Sequence, residues 1–373
     1  MQTPRDRPAA SFNSKELADM AYEHDFAVFI GRFQPFHAGH LQVVEEGLRR
    51  AECLIVLIGS AWQPRNPRNP WTHQEREQMV RACLPADVQE RLLCAPLMDI
   101  PYNDEAWVRN VQTTVAGLVT SHHKVPHRQA KVALIGHQKD HTGFYLGLFP
   151  QWASIGVPNY REISATPLRD GFFSVAERAS GYLASLNQAE VLPGPVIGHL
   201  ERWASESPEF AGIREEIAFV SSYKKAWEAA PYAPTFVTVD SVVVQSGHVL
   251  LVERRARPGK GLWALPGGFV DAGERLVDAC LRELREETRL KIPTPVLKGS
   301  IKTSRVYDDP HRSARGRTIT HAFYIELERQ PELPKVKGGD DAARAFWAPL
   351  GELDPQRMFE DHYFIIQDLV GTA

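Results

Sequence analysis

Gly268-Phe269-Val270-Asp271-Ala272-Gly273-Glu274, then seven residues, then Arg282-Glu283-Leu284-Arg285-Glu286-Glu287: this is the stretch of the 373-residue chain on which its reading turns. Glu283, Glu286 and Glu287 stand at i, i+3 and i+4, on one face of a helix. Three carboxylates so close repel one another unless a cation sits among them. A hard divalent ion, which prefers oxygen ligands, meets that need. Val277, Cys280, Leu281 and Leu284 recur at helical spacing on roughly the opposite side, so the same helix has an apolar face to bury. Pro266-Gly267-Gly268 gives the backbone freedom beside the acidic face. A solvated acidic helix is the plain alternative. One glycine and five charged positions at fixed spacing argue against it.

Outward from this helix, Thr235–Gln245 and His248–Arg255 alternate like strands around Ser246-Gly247, a hairpin signal. Thr318–Glu328 and Arg344–Ala348 read as further strands and Gln356–Val370 as a closing helix. Together they predict an α+β or α/β/α domain over 233–373. Before it, Val191–Ala230 is helical and charged, clearest at Glu215–Trp227, and Pro231–Pro234 ends it. Residues 191–232 therefore read as a helical connector.

In the first half, strands at Phe26–Gly31, Cys53–Gly59 and Val132–Gly136 alternate with helices at His40–Ala51 and Thr72–Leu84. That order predicts a doubly wound parallel sheet, here over 25–190, after a polar segment 1–24 with room for a short helix at Ser14–Tyr22. The proline-rich run Pro64–Pro70 reads as a surface loop. Gly31-Arg32-Phe33-Gln34-Pro35-Phe36-His37-Ala38-Gly39-His40 joins a strand to a helix. A glycine-bearing turn entering a helix N-terminus is an anion site, because free N–H groups and the helix dipole both point there. His37 and His40 add donors, and Gly39 lets a phosphate approach the backbone. Further on, Ile163-Ser164-Ala165-Thr166-Pro167-Leu168-Arg169 offers a helix cap at Ser164 or Thr166 and a guanidinium fork at Arg169.

The whole chain sets bounds. Hydrophobic content of 43%, charged content of 24% and a net charge of −3 describe an ordinary globular protein, with no basic field to draw it to nucleic acid or an anionic membrane. Cys53, Cys83, Cys94 and Cys280 form no C-x-x-C pair and read as buried thiols, which fits a reducing compartment. No secretory signal and no membrane-length apolar run is visible, so the expected location is the cytoplasm. Oligomeric state is left open, a homo-oligomer included.

The acidic stretch resembles the Nudix box, Gly-x5-Glu-x7-Arg-Glu-U-x-Glu-Glu-x-Gly-U with U a bulky apolar residue. It departs only at Arg289, where the family has Gly, which questions the turn at the helix end. The histidine segment resembles the HxGH signature of nucleotidyltransferases in its longer archaeal-type nicotinamide mononucleotide (NMN) adenylyltransferase form, and Ile163–Arg169 resembles the Ile-Ser-x-Thr-x-x-Arg motif of that superfamily. From about Phe26 to Val370 the chain is similar to bifunctional NMN adenylyltransferase/Nudix hydrolases.

That resemblance implies a Rossmann-like nucleotidyltransferase domain plus an α/β/α Nudix domain. It implies adenylyl transfer from ATP to NMN, giving NAD and pyrophosphate, and hydrolysis of ADP-ribose to AMP and ribose 5-phosphate. Mg²⁺ is the expected ion, with Mn²⁺ an alternative at the Nudix site. His37, His40 and Arg169 are expected to bind phosphates and stabilise the transition state. Gly31, Arg32, Phe33, Gly39, Lys139, Asp140, Ser164 and Thr166 are expected to contact substrate. Glu283, Glu286 and Glu287, with Gly268, are expected at the metal, Glu286 as the catalytic carboxylate, and Glu274 is expected to order the loop through Arg282.

Several readings stay open. Trp107 fits a nicotinamide-stacking role or the core. Arg65 and Arg68 fit a triphosphate or a solvated loop. Asp340 and Asp341 fit a general base or a surface loop. Phe236, Arg254 and Trp263 fit base or ribose contacts or packing. Arg305–Pro310 with Arg312, Arg315 and Arg317 fits an anion frame or, more safely, an exposed mixed-charge loop. Alternatives for the whole chain are another phosphorylated acceptor, with a different nucleoside diphosphate derivative for the Nudix domain, or a non-hydrolytic ADP-ribose sensor.

Overall fold

Five parallel strands form the first sheet: β1 (His24–Gly31), β2 (Ala51–Ile58), β3 (Leu92–Pro96), β4 (Val132–His137) and β5 (Ala153–Val157), in the order β3-β2-β1-β4-β5. The computed structural model describes residues 22–123, 129–137, 147–174 and 179–371. Lys139, Asp140 and nearly all of the segment 1–24, including the helix expected at Ser14–Tyr22, lie outside them.

Strand β1 is central because both its faces are apolar. Phe26 and Val28 face a core shared with Ile55, Leu57, Leu134 and with Val111 and Val115 of helix Asp104–His122. The other face meets helix α1 (Ala38–Arg50), whose Val43, Val44 and Leu48 are fully buried. Each such side chain contributes roughly 1.5–3 kcal/mol by leaving water. The strand order reverses direction on either side of β1, so the loops after β1 and β4 diverge and open a crevice at the carboxyl ends of the strands.

The chain divides into two compact units: one within Met1–Ala61, Pro70–Asp99 and Glu105–Phe210, the other comprising Trp62–Asn69, Ile100–Asp104 and Ala211–Ala373. The division at Phe210 falls inside the stretch read as a connector. Helix Gly194–Glu206 packs into the first unit, with Trp203 edge-on to Trp71 at 5.7 Å. Tyr223 and Trp227 pack on Phe236 in the second, at 5.8 and 5.3 Å.

The second unit is built on a mixed sheet of β6 (Thr235–Gln245), β7 (His248–Arg254), β10 (Ile301–Tyr307), β11 (Arg317–Glu326) and β12 (Ala342–Pro349), in the order β10-β11-β6-β7-β12, with the short strands β8 (Trp263–Ala264) and β9 (Gly267–Phe269) attached to β7 and β6. Strands β6 (Thr235–Gln245) and β7 (His248–Arg254) form the expected hairpin; Ser246 and Gly247 both have positive φ, 47° and 76°, as a two-residue turn of that hand requires. Strands β11 (Arg317–Glu326) and β6 run parallel. Period-two alternation gives β6 two buried faces. Val239 and Val243 meet Ala279, Cys280, Leu281 and Leu284 of the acid helix, Leu276–Thr288. Val242 and Val244 meet Ile365, Ile366 and Leu369 of helix His362–Gly371. The unit is therefore an α/β/α sandwich.

Two expectations are corrected. The closing helix begins at His362, because Asp354-Pro355-Gln356-Arg357 closes a separate 3-10 turn first. Ile301–Tyr307 is strand β10, so Arg305–Tyr307 is not loop; Arg305 pairs with Asp368 there. No described helix is long and apolar enough to cross a membrane.

Candidate active sites

The crevice of the first unit is lined by the segments that follow the strands. After β1, His37 is the N-cap of α1 and bonds reciprocally with His40. Nδ1 of His37 accepts from His40 N–H (3.4 Å), and Nδ1 of His40 accepts from His37 N–H (3.3 Å). The two rings stack with centroids 3.6 Å apart. This is a capping box made with imidazoles in place of Ser and Glu. Its chemical consequence is a fixed tautomer: with both Nδ1 atoms used as acceptors, the ring protons sit on Nε2. Each histidine is thus set as a donor at a helix N-terminus, the arrangement an anion needs.

The rest of the loop holds that pair in place. Phe33 is buried at φ 53°, with its ring edge-on to His40 at 5.0 Å and packed close over Gly31. Its side chain belongs to the core, so the substrate contact expected of it is open only to its backbone. Gln34 is buried and clamps the Trp71 backbone from both sides, at 2.8 and 3.2 Å, while its own carbonyl accepts from Arg169 Nη1 at 3.1 Å. Arg169, in helix Ala165–Ser174, therefore reaches the histidine loop. Ser164 stands one residue before that helix and Thr166 in its first turn, both exposed. Trp107 is partly buried and packs toward Phe149 at 6.2 Å, at the edge of the apolar core.

Three residues escaped the sequence reading. Arg76 is buried and donates to the carbonyls of Thr72, Arg32, Gly59 and Ser60, tying the ends of β1 and β2 to helix His73–Ala82. Burial pushes its pKa down to about 10. Asp99 accepts from Ser60 N–H and Oγ at 3.1 and 2.6 Å at the same edge. His137, at the end of β4, faces the cradle: a methyl group on Gly39 would lie 3.8 Å from its Nε2 and 3.2 Å from the His37 ring. Arg32 is exposed. In the proline-rich loop Asn66 Oδ1 accepts from Arg68 N–H and Asn69 N–H, so the loop is closed by its own turn.

In the second unit the acid helix carries its glutamates as the spacing predicts. Arg282 joins them. It donates to Glu274 at 3.0 Å, and its Nη1 reaches both Glu283 (2.7 Å) and Glu286 (3.1 Å). Glu283 lies directly over Gly268, where any side chain would meet its carboxylate. Glu287 is buried and accepts from Gly267 N–H at 3.0 Å. Burial pushes its pKa up to about 8, and burial also raises that of Glu283. Among the described residues no three His, Cys, Asp or Glu side chains converge as they stand. Two carboxylates nonetheless share one cationic nitrogen and a third is held close to neutrality, so the donor set fits a hard divalent ion. Arg289 takes the left-handed conformation, φ 53°, and its N–H bonds Arg285 O, so the helix-ending turn survives without glycine.

Beside Gly268 and Glu287 opens a cleft also lined by Asp240, Arg254, Arg312, Arg315, Asp341 and Glu360. Arg312 is not on an exposed loop, as the safer reading had it. It is buried in a bidentate pair with Asp361, at 2.9 and 2.8 Å. Arg317 pairs with Asp308 at the surface. Trp263 stacks under Arg357 (3.7 Å) and packs edge-on to Phe346. His362 accepts from Leu265 N–H through Nδ1, and burial lowers its pKa to about 3, so it is neutral.

A parallel α/β unit with a histidine-capped anion cradle and a sandwich with a glutamate helix define a nucleotidyltransferase joined to a Nudix domain. The comparisons agree. Residues 28–116 match the cytidylyltransferase-like family model and residues 234–369 the NUDIX domain model. A nicotinamide/nicotinic acid mononucleotide adenylyltransferase of Acinetobacter baylyi is 39% identical over 153 residues, 41% of this chain and 77% of that one. An ADP-ribose pyrophosphatase of Methanocaldococcus jannaschii is 37% identical over 137 residues, 37% and 74%. The crystal structure of a bifunctional NMN adenylyltransferase/ADP ribose pyrophosphatase from Francisella tularensis, complexed with AMP and an Mn ion, is 33% identical, with a TM-score of 0.82 over 94% of this chain and 99% of that one. The chain belongs to this bifunctional family.

Proposed function

We propose that the chain makes NAD from ATP and NMN in its first unit and hydrolyses ADP-ribose to AMP and ribose 5-phosphate in its second, with the junction in residues 191–232. The observation that carries the reading is the presence, in one chain, of the reciprocal His37–His40 cap and of the Glu283/Glu286/Glu287 face over Gly268.

In adenylyl transfer the NMN phosphate is already ionised at neutral pH, so alignment and charge neutralisation dominate. His37 and His40 donate through Nε2, the α1 N-terminus adds its dipole, and Arg169 adds a fork at the same loop. Asp99 and Arg76 keep the strand ends in register. In hydrolysis, Glu283, Glu286 and Glu287 would hold a divalent ion, Mg²⁺ in our reading, which would polarise phosphoryl oxygens and activate water. Arg282 and Glu274 orient those carboxylates. Asp341 lines the cleft and is the sequence-predicted base candidate that reaches it.

The test is direct. Purified protein is given ATP, NMN and Mg²⁺, and separately ADP-ribose and Mg²⁺, and products are resolved by chromatography. NAD with pyrophosphate in the first and AMP with ribose 5-phosphate in the second are expected. Absence of either pair overturns the corresponding half.

A further inference from the structure

Four arginines line the Nudix cleft, and they differ in how their charge is met. Arg312 is neutralised by Asp361 and Arg257 by Glu215 and Glu216. Arg254 and Arg315 make no ion pair among the described residues. Arg254 gives Nε to the Pro258 carbonyl (2.9 Å), and Arg315 Nε is buried without a hydrogen-bond partner. What holds these two is aromatic. The Arg254 guanidinium lies 4.0 Å from the centre of the Phe359 ring, and that of Arg315 lies 5.1 Å from Phe269.

An aromatic face orients a guanidinium without cancelling its charge, whereas a carboxylate does both. Two like charges kept together repel each other: burial and Arg315 lower the pKa of Arg254, and the cleft carboxylates Glu360, Glu287 and Asp341 offset only part of that. Such an arrangement is costly unless an anion completes it. The cleft floor beside them is formed by Gly268 and Glu287, where the metal-binding face begins.

We propose that Arg254 and Arg315 are a clamp for the diphosphate of the hydrolase substrate, with Phe359 and Phe269 as positioning residues that seat the two guanidinium groups. The inference rests on the hydrolase reading above and adds to it the residues that grip the scissile group. Charge-assisted, forked contacts from the two guanidinium groups would grip the phosphate oxygens.

The experiment is steady-state hydrolysis of ADP-ribose by the full chain, with adenylyl transfer measured on the same preparations as a folding control. Arg315→Ala should raise KM about tenfold or more, the range expected for losing a charge-assisted contact, with adenylyl transfer unchanged. Arg254→Ala should do the same. Phe269→Leu should raise KM by a smaller factor, about threefold, and should add little on top of Arg315→Ala, because the ring acts only through that guanidinium. A structural role for Phe269 would instead give additive losses and a lowered Tm. Unchanged KM in Arg315→Ala overturns the clamp. If the wild-type chain ignores ADP-ribose but cleaves another nucleoside diphosphate derivative, and Arg315→Ala raises KM for that compound, the clamp stands and only the substrate assignment falls. No hydrolysis of any such compound overturns both.

Discussion

Replacing Gly268 by alanine separates the fold from the chemistry of the hydrolase site. A methyl group there would lie 2.5 Å from Glu283 Oε1 and 2.6 Å from its Cδ, where ordinary contact begins at 3.4 Å. Glu283 must therefore retreat by nearly 1 Å, which breaks its 2.7 Å bond to Arg282 Nη1 and moves one of three carboxylates off the metal-binding face. The displaced group is the end of a flexible side chain, so the fold should absorb the change at a cost of about 1 kcal/mol or less. Misplacement of a reacting group by about 1 Å costs on the order of a hundredfold in rate. Gly267→Ala is the contrast. Its methyl group would stand 2.1 Å from the Val239 carbonyl, a backbone atom in β6, and no rotamer relieves that. We expect Gly268→Ala to lose about a hundredfold in ADP-ribose turnover, keep its Tm within about 3 °C and retain adenylyl transfer, while Gly267→Ala unfolds at markedly lower temperature. Turnover by Gly268→Ala within threefold of wild type, or equal Tm losses in the two variants, would refute the reasoning.

His40→Ala removes one half of the reciprocal cap and a phosphate donor, so NMN adenylyltransferase turnover should fall at least a hundredfold by kinetics, with stability lowered by about 1 kcal/mol in urea titration. Arg289→Gly should stabilise the chain by about 1 kcal/mol in denaturant titration, because glycine adopts φ 53° without the penalty a side chain incurs. The Glu287 carboxyl is raised from 4.5 to about 8, so the folded state holds a proton that the unfolded state has released across that window. In EDTA, stability should therefore fall as pH rises from 4.5 toward 8. Divalent metal or Glu287→Gln should flatten the slope, and an EDTA profile that rises across that range would contradict the assignment.

How much of this could be read from the chain depends on what each residue reports. The acid helix was legible because spacing fixes a face: Glu283, Glu286 and Glu287 point one way and Cys280, Leu281 and Leu284 are buried the other way. The central strands of the first sheet were legible as short apolar runs. Strands β3 and β5 were not, since five residues with partial burial carry little periodicity. Two buried arginines were harder to read. Arg76 sits in a helix of largely polar sequence and reads as solvent-facing, yet four backbone carbonyls capture it. Arg312 reads as one of several loop cations, and only the fold brings Asp361 beneath it. His137 directly follows the predicted strand Val132–Gly136, but its approach to Gly39 depends on β4 lying beside β1, a pairing no local pattern states. Trp107 is partly buried beside Phe149 on helix Asp104–His122, a placement compatible with either role its sequence offered.

The account claims that polyphosphate is handled by two chemically separate sites in one chain. The most direct measurement is a crossed assay: His40→Ala and Glu286→Gln, each tested for NAD formation from ATP and NMN and for AMP release from ADP-ribose. The account predicts that His40→Ala loses only the first activity and Glu286→Gln only the second. Loss of both activities in either variant, with its Tm intact, would contradict it.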